Sequence, residues 1–482
     1  MENAAFDLAI IGSGSGNSLI TPYWDDRRVA IAEQGTFGGT CLNVGCIPTK
    51  MFVRPAALAR GPEEAARLGV TQHTDSVDWP GMRDRIFGRI DAISAGGERY
   101  RRDELDNVLL ISQRVRLTGT HGFVADDGTR VEAKQLVIAA GSRAVLPDVP
   151  GIDLPQVHTS DTIMRLPELP RRVLVVGGGY IAAEFANIFS SFGSEVTQVH
   201  RGERLLRRSD EDIAERFTSE AARQWDLRLE RELASVHLGD DGGVVAELVP
   251  SGNAATGSPN ASERIAVDVV LVAVGRTPNS DLVGAREAGL DLHEDGRIAV
   301  DAFQRVLSGG EPVAGLYALG DISSAAQLKH VANHEARVVA HNLEHPDDLR
   351  PSRQEVIPAA IFTDPEIAQV GWTEAEAVAE IGAEHVTTKV QAYGDTAYGW
   401  ALEDRTGVFK IVADRRDGRI LGAHVLGYQA SNLIQVVVTA MSFGIDAHTA
   451  ARGQYWIHPA LMEVAENALL GLDVPTGVRP PL

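Results

Sequence analysis

Short runs of consecutive apolar residues, each closed by glycine or by an acid, punctuate the first two thirds of the chain. Phe6-Asp7-Leu8-Ala9-Ile10-Ile11 leads into Gly12-Ser13-Gly14-Ser15-Gly16, and Val173-Leu174-Val175-Val176 leads into Gly177-Gly178-Gly179-Tyr180-Ile181-Ala182. Runs of this kind predict buried parallel strands, and the glycines predict a tight turn feeding a helix. Two such units, about 165 residues apart, imply two dinucleotide-binding domains. Leu136 to Gly141 and Val269 to Gly275 predict strands that close each half, and Gly315 to Asp321 predicts another, ending in an acid.

The pattern changes from about Pro351. Mixed strands such as Val408 to Val412 alternate with amphipathic helices such as Asn432 to Phe443, which predicts a separate α+β module. Residues 250–263 predict a long exposed hairpin tip, and the tail after Leu472, with Pro475, Pro480 and Pro481, predicts disorder.

Bulk properties narrow the function. At 482 residues the chain is too long for one core and suggests about three domains. Its net charge of −21 and pI of about 5.1 argue against nucleic acid or an anionic membrane as a partner. No apolar stretch reaches the roughly 18 residues of a spanning helix, and the N-terminus lacks a basic, cleavable leader, so a cytoplasmic protein is expected. Two cysteines are too few for a secreted disulfide framework, an all-cysteine zinc site or an iron–sulfur cluster, and no metal is expected.

At the first glycine unit, Gly12 permits the turn and Gly14 lets backbone approach a pyrophosphate at a helix N-terminus. Glu33 ends the next strand about 20 residues on, where a carboxylate would hold ribose hydroxyls. The third glycine of the pattern is displaced to Gly16, with Asn17 after it, which leaves the helix–strand packing open. The second unit repeats the logic with Gly177, Gly179 and Ala182, but its following strand runs into Arg201 instead of an acid. Arg204, Arg207 and Arg208 follow. Guanidinium groups suit a 2′-phosphate, which favours NADPH over NADH; a solvated basic stretch is the competing reading.

Cys41 and Cys46 lie in Gly38-Gly39-Thr40-Cys41-Leu42-Asn43-Val44-Gly45-Cys46-Ile47-Pro48-Thr49-Lys50. A bond between them requires the five-residue step to curl, which the glycines permit. The segment precedes a helical stretch from about Lys50 to Arg60, whose N-terminal amides would favour thiolate. Two ordinary buried thiols are the alternative.

This segment resembles the redox-active disulfide motif of the flavin disulfide reductases, and the resemblance covers the chain from the first glycine motif to His458. Glu33 to Phe37, Lys329 to Arg337 and Gly453 to Leu461 look closest to the branch that acts on mycothiol disulfide. The resemblance implies FAD and NADPH as cofactors and a small disulfide as substrate, for cytosolic thiol redox homeostasis. It implies that Cys41 is the interchange thiol and Cys46 the charge-transfer thiol. Lys50 would lie beside the flavin, paired with Glu184, because a buried lysine needs a partner. Gly12, Gly14, Gly16, Glu33, Gly39, Thr40, Lys50, Gly141 and Asp321 would hold FAD. Gly177, Gly179, Ala182, Arg201, Arg207 and Gly275 would hold NADPH, and Tyr180 would cover the nicotinamide pocket. The helix starting near Lys329 would aim its dipole at the flavin.

His458-Pro459-Ala460-Leu461-Met462-Glu463 supplies an imidazole suited to protonating a departing thiolate, with Glu463 to orient it. Read alone, such a histidine is simply packed. The resemblance implies a catalytic dyad of His458 and Glu463 acting in the other subunit's site, and so an obligate homodimer. His330, His334 and His424 read as structural, and Tyr398 and Trp400 as packing. The expected fold is α/β, with two Rossmann-like dinucleotide-binding domains and a C-terminal α+β dimerisation domain. The expected bounds are 1–155 and 281–348 for FAD, 156–280 for NADPH, 349–472 for the interface, and 473–482 as a tail. An NAD-dependent enzyme acting on dihydrolipoamide is the alternative, against which Arg201 and Arg207 speak.

Overall fold

A parallel array of five strands, its two central ones buried on both faces, organises the first half of the molecule. In the computed structural model, which describes residues 6–240, 242–251 and 262–476, Phe6–Ile11 lies at the middle of a parallel array. Val29–Ala32 and then Val108–Ile111 flank it on one side, and Arg130–Ile138 and then Glu311–Ala318 on the other. Leu8, Ala9, Ile10, Ala30 and Ile31 have no exposed surface, which is why their run is apolar without alternation. Glu311–Ala318 joins this sheet from far along the sequence, so the first unit is built from two separated segments.

The second parallel sheet has the order Asp226–Leu229, Glu195–His200, Arg172–Val176, Val269–Val272 and Val157–His158. A two-stranded ribbon, Ser142–Ala144 against Arg276–Pro278, links the two units. From Ala359 onward the sheet is antiparallel, with five strands ending at Val386–Ala392 and helices against it. The expected strands Val408 to Val412 and helix Asn432 to Phe443 occur as Val408–Asp414 and as Ala430–Leu433 followed by Gln435–Ser442.

One local expectation fails. The second glycine unit feeds the helix Tyr180–Ser191, but the first feeds only a 3-10 turn, Gly16–Leu19. Asn17 and Ser18 are weak helix formers, and Pro22, which cannot donate a backbone bond, starts another short turn, Pro22–Trp24. The anion site expected at a helix N-terminus there is therefore a loop. The redox segment errs the other way, since its long helix begins at Cys46 and runs to Arg67. This helix packs beside Trp79–Asp103 through a Phe52–Trp79 stack with ring centroids 4.8 Å apart.

The hairpin tip lies mostly outside the described residues; its ends are the antiparallel neighbours Val244–Pro250 and Glu263–Val267. The last six residues of the tail also lie outside them. Among the described residues no helix is long and apolar enough to cross a membrane.

Candidate active site

Two glycine contacts bring the redox segment onto the first nucleotide loop. Gly12 has φ +106°, and a Cβ there would lie 2.3 Å from the Ala139 carbonyl oxygen, so the turn requires glycine. A Cβ on Gly39 would lie 2.6 Å from the Gly14 Cα, so these two backbones touch. The displaced glycine also has a packing role. A Cβ on Gly16 would lie 2.8 Å from Ile10 Cγ2 and 3.0 Å from Ala139 Cβ.

Between the cysteines, Gly45 folds against the turn before it. Its missing Cβ would lie 2.9 Å from the Thr40 carbonyl oxygen and 3.4 Å from the Cys41 Cα. Asn43 fixes the same turn by donating to the carbonyls of Thr36, Phe37 and Gly39. Cys41 sits in the short helix Gly39–Asn43, and Cys46 is the first residue of its own helix. Both are free thiols here, in hydrogen-bond contact. The bond from Cys41 and the field of Lys50 lower the Cys46 thiol to about 7, against the opposing effect of burial. Donating that bond, together with burial, pushes the Cys41 thiol up.

Behind the thiols, Lys50 Nζ lies 2.6 and 2.8 Å from the two Glu184 carboxylate oxygens. Glu184 is 5% exposed and also accepts from the Phe362 backbone amide at 3.0 Å. The Lys50 ammonium stands 4.6 Å over the Phe362 ring. Tyr180, at the start of the neighbouring helix, feels the charges of Arg276, Asp321, Glu184 and Cys46. It therefore stands where the two nucleotide units meet.

The chemistry of these groups fits FAD at the first unit. Glu33 Oε2 accepts from the amide and hydroxyl of Ser13 at 2.9 and 2.7 Å, and Oε1 accepts from the Gly35 amide. A carboxylate so fixed keeps lone pairs for a ribose diol. Asp321 Oδ2 accepts from Ser142 Oγ at 2.6 Å, and Ser142 in turn accepts from Arg276 Nε. A Cβ on Gly141 would meet nothing within 4 Å, so the chain beside Asp321 opens onto free space. Glu335 holds the same turn from behind, accepting from the Gly320 amide at 2.7 Å, and burial raises its carboxyl to about 7.

The second unit fits a dinucleotide as well. Gly177 has φ +138° and a Cβ there would lie 2.3 Å from the Ala273 carbonyl oxygen, while Gly179, at the N-cap of Tyr180–Ser191, and Gly275, just before Arg276–Pro278, face open space. Ala182 is fully buried beneath this turn. Arg204 pairs with Glu211 and Glu215, so it is committed within the protein. Arg201, Arg207 and Arg208 are exposed, and among the described residues none pairs with a carboxylate. His200 packs under Gly178, and burial together with Arg201 and Arg207 holds it below the ordinary imidazole range.

His458 is not brought to the thiols within one chain. Its Nδ1 lies 2.7 Å from Glu463 Oε1, and its side chain is 72% exposed. Phe443, Tyr455 and Ile457 are also largely exposed. Trp400 is 65% exposed, so the packing expected of it is not in this chain's core. His424 is buried and bonds the Trp372 carbonyl, as a structural histidine would. Sequence reasoning missed Ser13, Arg276, Glu335 and Phe362. Each acts through a partner more than a hundred residues away or through a backbone atom, and only the spacing of Ser13 within the first glycine loop could have flagged any of them.

Comparison with known proteins gives one consistent outcome. Residues 6–336 match the family model described as pyridine nucleotide-disulphide oxidoreductase, and residues 357–469 match the dimerisation domain of the same family. The chain is 50% identical over 478 residues to mycothione reductase of Mycobacterium tuberculosis, covering 97% of this chain and 99% of that one. It is 31% identical to a dihydrolipoyl dehydrogenase of Chlamydia trachomatis, covering 99% of each. Among solved structures it is similar to the HOCl-induced flavoprotein disulfide reductase RclA of Escherichia coli. That match has a TM-score of 0.81 and 25% identity, covering 97% of this chain and 100% of that one.

Proposed function

The chain belongs to the pyridine nucleotide-disulphide oxidoreductase family, and from that premise we propose that it reduces mycothiol disulfide with electrons from NADPH. The observation that carries the chemistry is the pair of hydrogen-bonded thiols, Cys41 and Cys46, with the Lys50–Glu184 ion pair behind them. The choice of disulfide is supported by the 50% identity to mycothione reductase, against 31% for the dihydrolipoyl dehydrogenase.

When bound, FAD supplies the electron pair, received as hydride from NADPH, that opens the Cys41–Cys46 disulfide. The protein's own groups do the rest. Cys46, at a helix N-terminus and near Lys50, holds negative charge as thiolate. Cys41 gives its proton to the partner subunit's His458 and attacks one sulfur of the substrate as thiolate, forming a mixed disulfide and expelling the first thiolate. The partner subunit's His458 donates the proton that this leaving group needs. Attack of Cys46 on the Cys41 sulfur then restores the intramolecular disulfide and releases the second thiol. Lys50, held by Glu184, keeps a fixed positive charge beside the flavin.

On this reading Gly12, Gly14, Gly16, Glu33, Gly39, Thr40, Gly141 and Asp321 hold FAD, within residues 1–155 and 281–348. Gly177, Gly179, Tyr180, Ala182, Arg201, Arg207 and Gly275 hold NADPH, within 156–280. Residues 349–472 form the interface of an obligate homodimer, which the exposed His458–Glu463 dyad supports. The enzyme is placed in the cytoplasm, with neither nucleic acid nor membrane as a partner, in keeping with its net charge of −21.

The test is turnover of mycothiol disulfide, glutathione disulfide and lipoamide side by side, each with NADPH and NADH. Mycothiol disulfide with NADPH is expected to give the highest kcat/KM; lipoamide with NADH in first place would sink the proposal. Mixing the inactive variants Cys41→Ser and His458→Gln tests the shared site. Exchange of subunits restores activity only if each site draws on both chains.

A further inference from the structure

Lys329 opens the helix Lys329–Glu344, and its ammonium lies 2.8 Å from the hydroxyl of Ser15 in the first glycine loop. The two residues are 314 positions apart, so the fold alone brings them together. Among the described residues no carboxylate pairs with Lys329, although the chain carries 66 acidic residues against 45 basic ones. A part-buried ammonium whose one partner is a neutral hydroxyl lacks the compensation such a charge ordinarily finds.

The loop is polarised along its length. At one end Glu33 is bonded to Ser13, which suits ribose hydroxyls and repels phosphate. At the other, past Gly14, Ser15 meets Lys329. The second cation at the loop, Arg101, is committed to it, since Nε and one terminal nitrogen donate to the side chain and backbone oxygens of Asn17. The first glycine unit also lacks the α-helix whose dipole would have offset phosphate charge. Of these two cations at the loop, Lys329 is the one bonded at Ser15, past Gly14, where phosphate charge would lie.

We infer that Lys329 is a cofactor-binding residue, whose ammonium neutralises the pyrophosphate of the dinucleotide held by the first glycine loop. This rests on the reading of that loop as the FAD site. Its charge replaces what the missing helix would have supplied.

The experiment follows FAD release and rebinding by flavin fluorescence in the purified dimer, for wild type, Lys329→Met and Lys329→Arg. ADP, which carries the pyrophosphate without the flavin, competes during rebinding. Loss of one charge-assisted bond predicts that Lys329→Met weakens both FAD and ADP about ten- to hundredfold. It also predicts a smaller salt dependence, largely restored in Lys329→Arg. Unchanged FAD affinity in Lys329→Met overturns the inference. So does weakened FAD with unchanged ADP, which would assign the charge to the flavin ring. The field of Lys329 also reaches Cys41; slower alkylation of that thiol with intact FAD and ADP binding would overturn the inference too. Wild type that binds no FAD would instead reject the parent reading of the loop.

Discussion

Lys50 and Glu184 form a forked ion pair across 134 residues, joining the helix that begins at Cys46 to the one that begins at Tyr180. The carboxylate is almost wholly buried while the lysine side chain keeps 34% of its surface, so the charge is fixed yet faces the site. Glu184→Gln keeps the shape and removes the fixing charge. A stability loss of about 1–3 kcal/mol is expected, below that of a fully buried pair because Lys50 remains partly solvated. Flavin reduction by NADPH, followed by stopped flow, is expected to slow at least about tenfold. Unchanged reduction kinetics would remove Lys50 and Glu184 from the mechanism.

Cys46 is lowered to about 7, first by the bond from Cys41 and also by Lys50. For a lowered group the charged form is present above that value and is lost as pH falls through it. Alkylation of Cys46 in the reduced protein is therefore expected to rise with a midpoint near pH 7. Cys41→Ala, which removes the donor, moves the midpoint up toward the ordinary thiol range, and Cys41→Ser, which keeps a hydroxyl donor, moves it less. A midpoint indifferent to both variants would refute the hydrogen-bond account.

Among the described residues no carboxylate pairs with Arg201 or Arg207, whereas Arg204 is tied to acids. Arg201→Met and Arg207→Met are each expected to raise KM for NADPH about tenfold or more, leaving KM for NADH within about twofold. Steady-state kinetics with both nucleotides checks this. Arg204→Met should change the ratio little, and an equal effect of all three would point to general charge.

Lys410 is 2% exposed in the strand Val408–Asp414 and bonds Asp210, Asp212 and Glu374 at 2.9, 2.6 and 2.7 Å. Burial opposes its charge, but the three carboxylates outweigh that and push its pKa up. It fastens the helix Glu211–Gln224 of the second nucleotide unit to the C-terminal sheet. Lys410→Met leaves three acids without their cation and is expected to cost about 3–5 kcal/mol in chemical denaturation. Part of that loss should return as pH falls from 8 to 5 and the carboxylates take up protons. A variant as stable as wild type would show that the cluster contributes nothing net.

Features that depend on neighbours along the chain can be read from residue order alone. The two glycine units were legible because a parallel strand buried on both faces admits no polar alternation, and because Gly12 and Gly177 adopt φ values that other residues resist. The closeness of Cys41 and Cys46 was legible through Gly39, which adopts φ +73°, and through Gly45, whose missing side chain lets the turn close on Thr40. The first helix was misjudged where a glycine pattern outweighed the poor helix formers from Asn17 to Pro22.

Which distant polar groups meet is set by the folded chain, not by residue order. Nothing local in Lys329 announces Ser15, nor does anything in Lys410 announce Asp210, because a long-range polar contact carries no periodicity and its partners lie on separate elements. Arg204 and Arg207 are alike in sequence; folding places Glu211 and Glu215 beside the first and, among the described residues, no carboxylate beside the second. Composition supplies the charges, and chain packing selects the ones that remain available to a ligand.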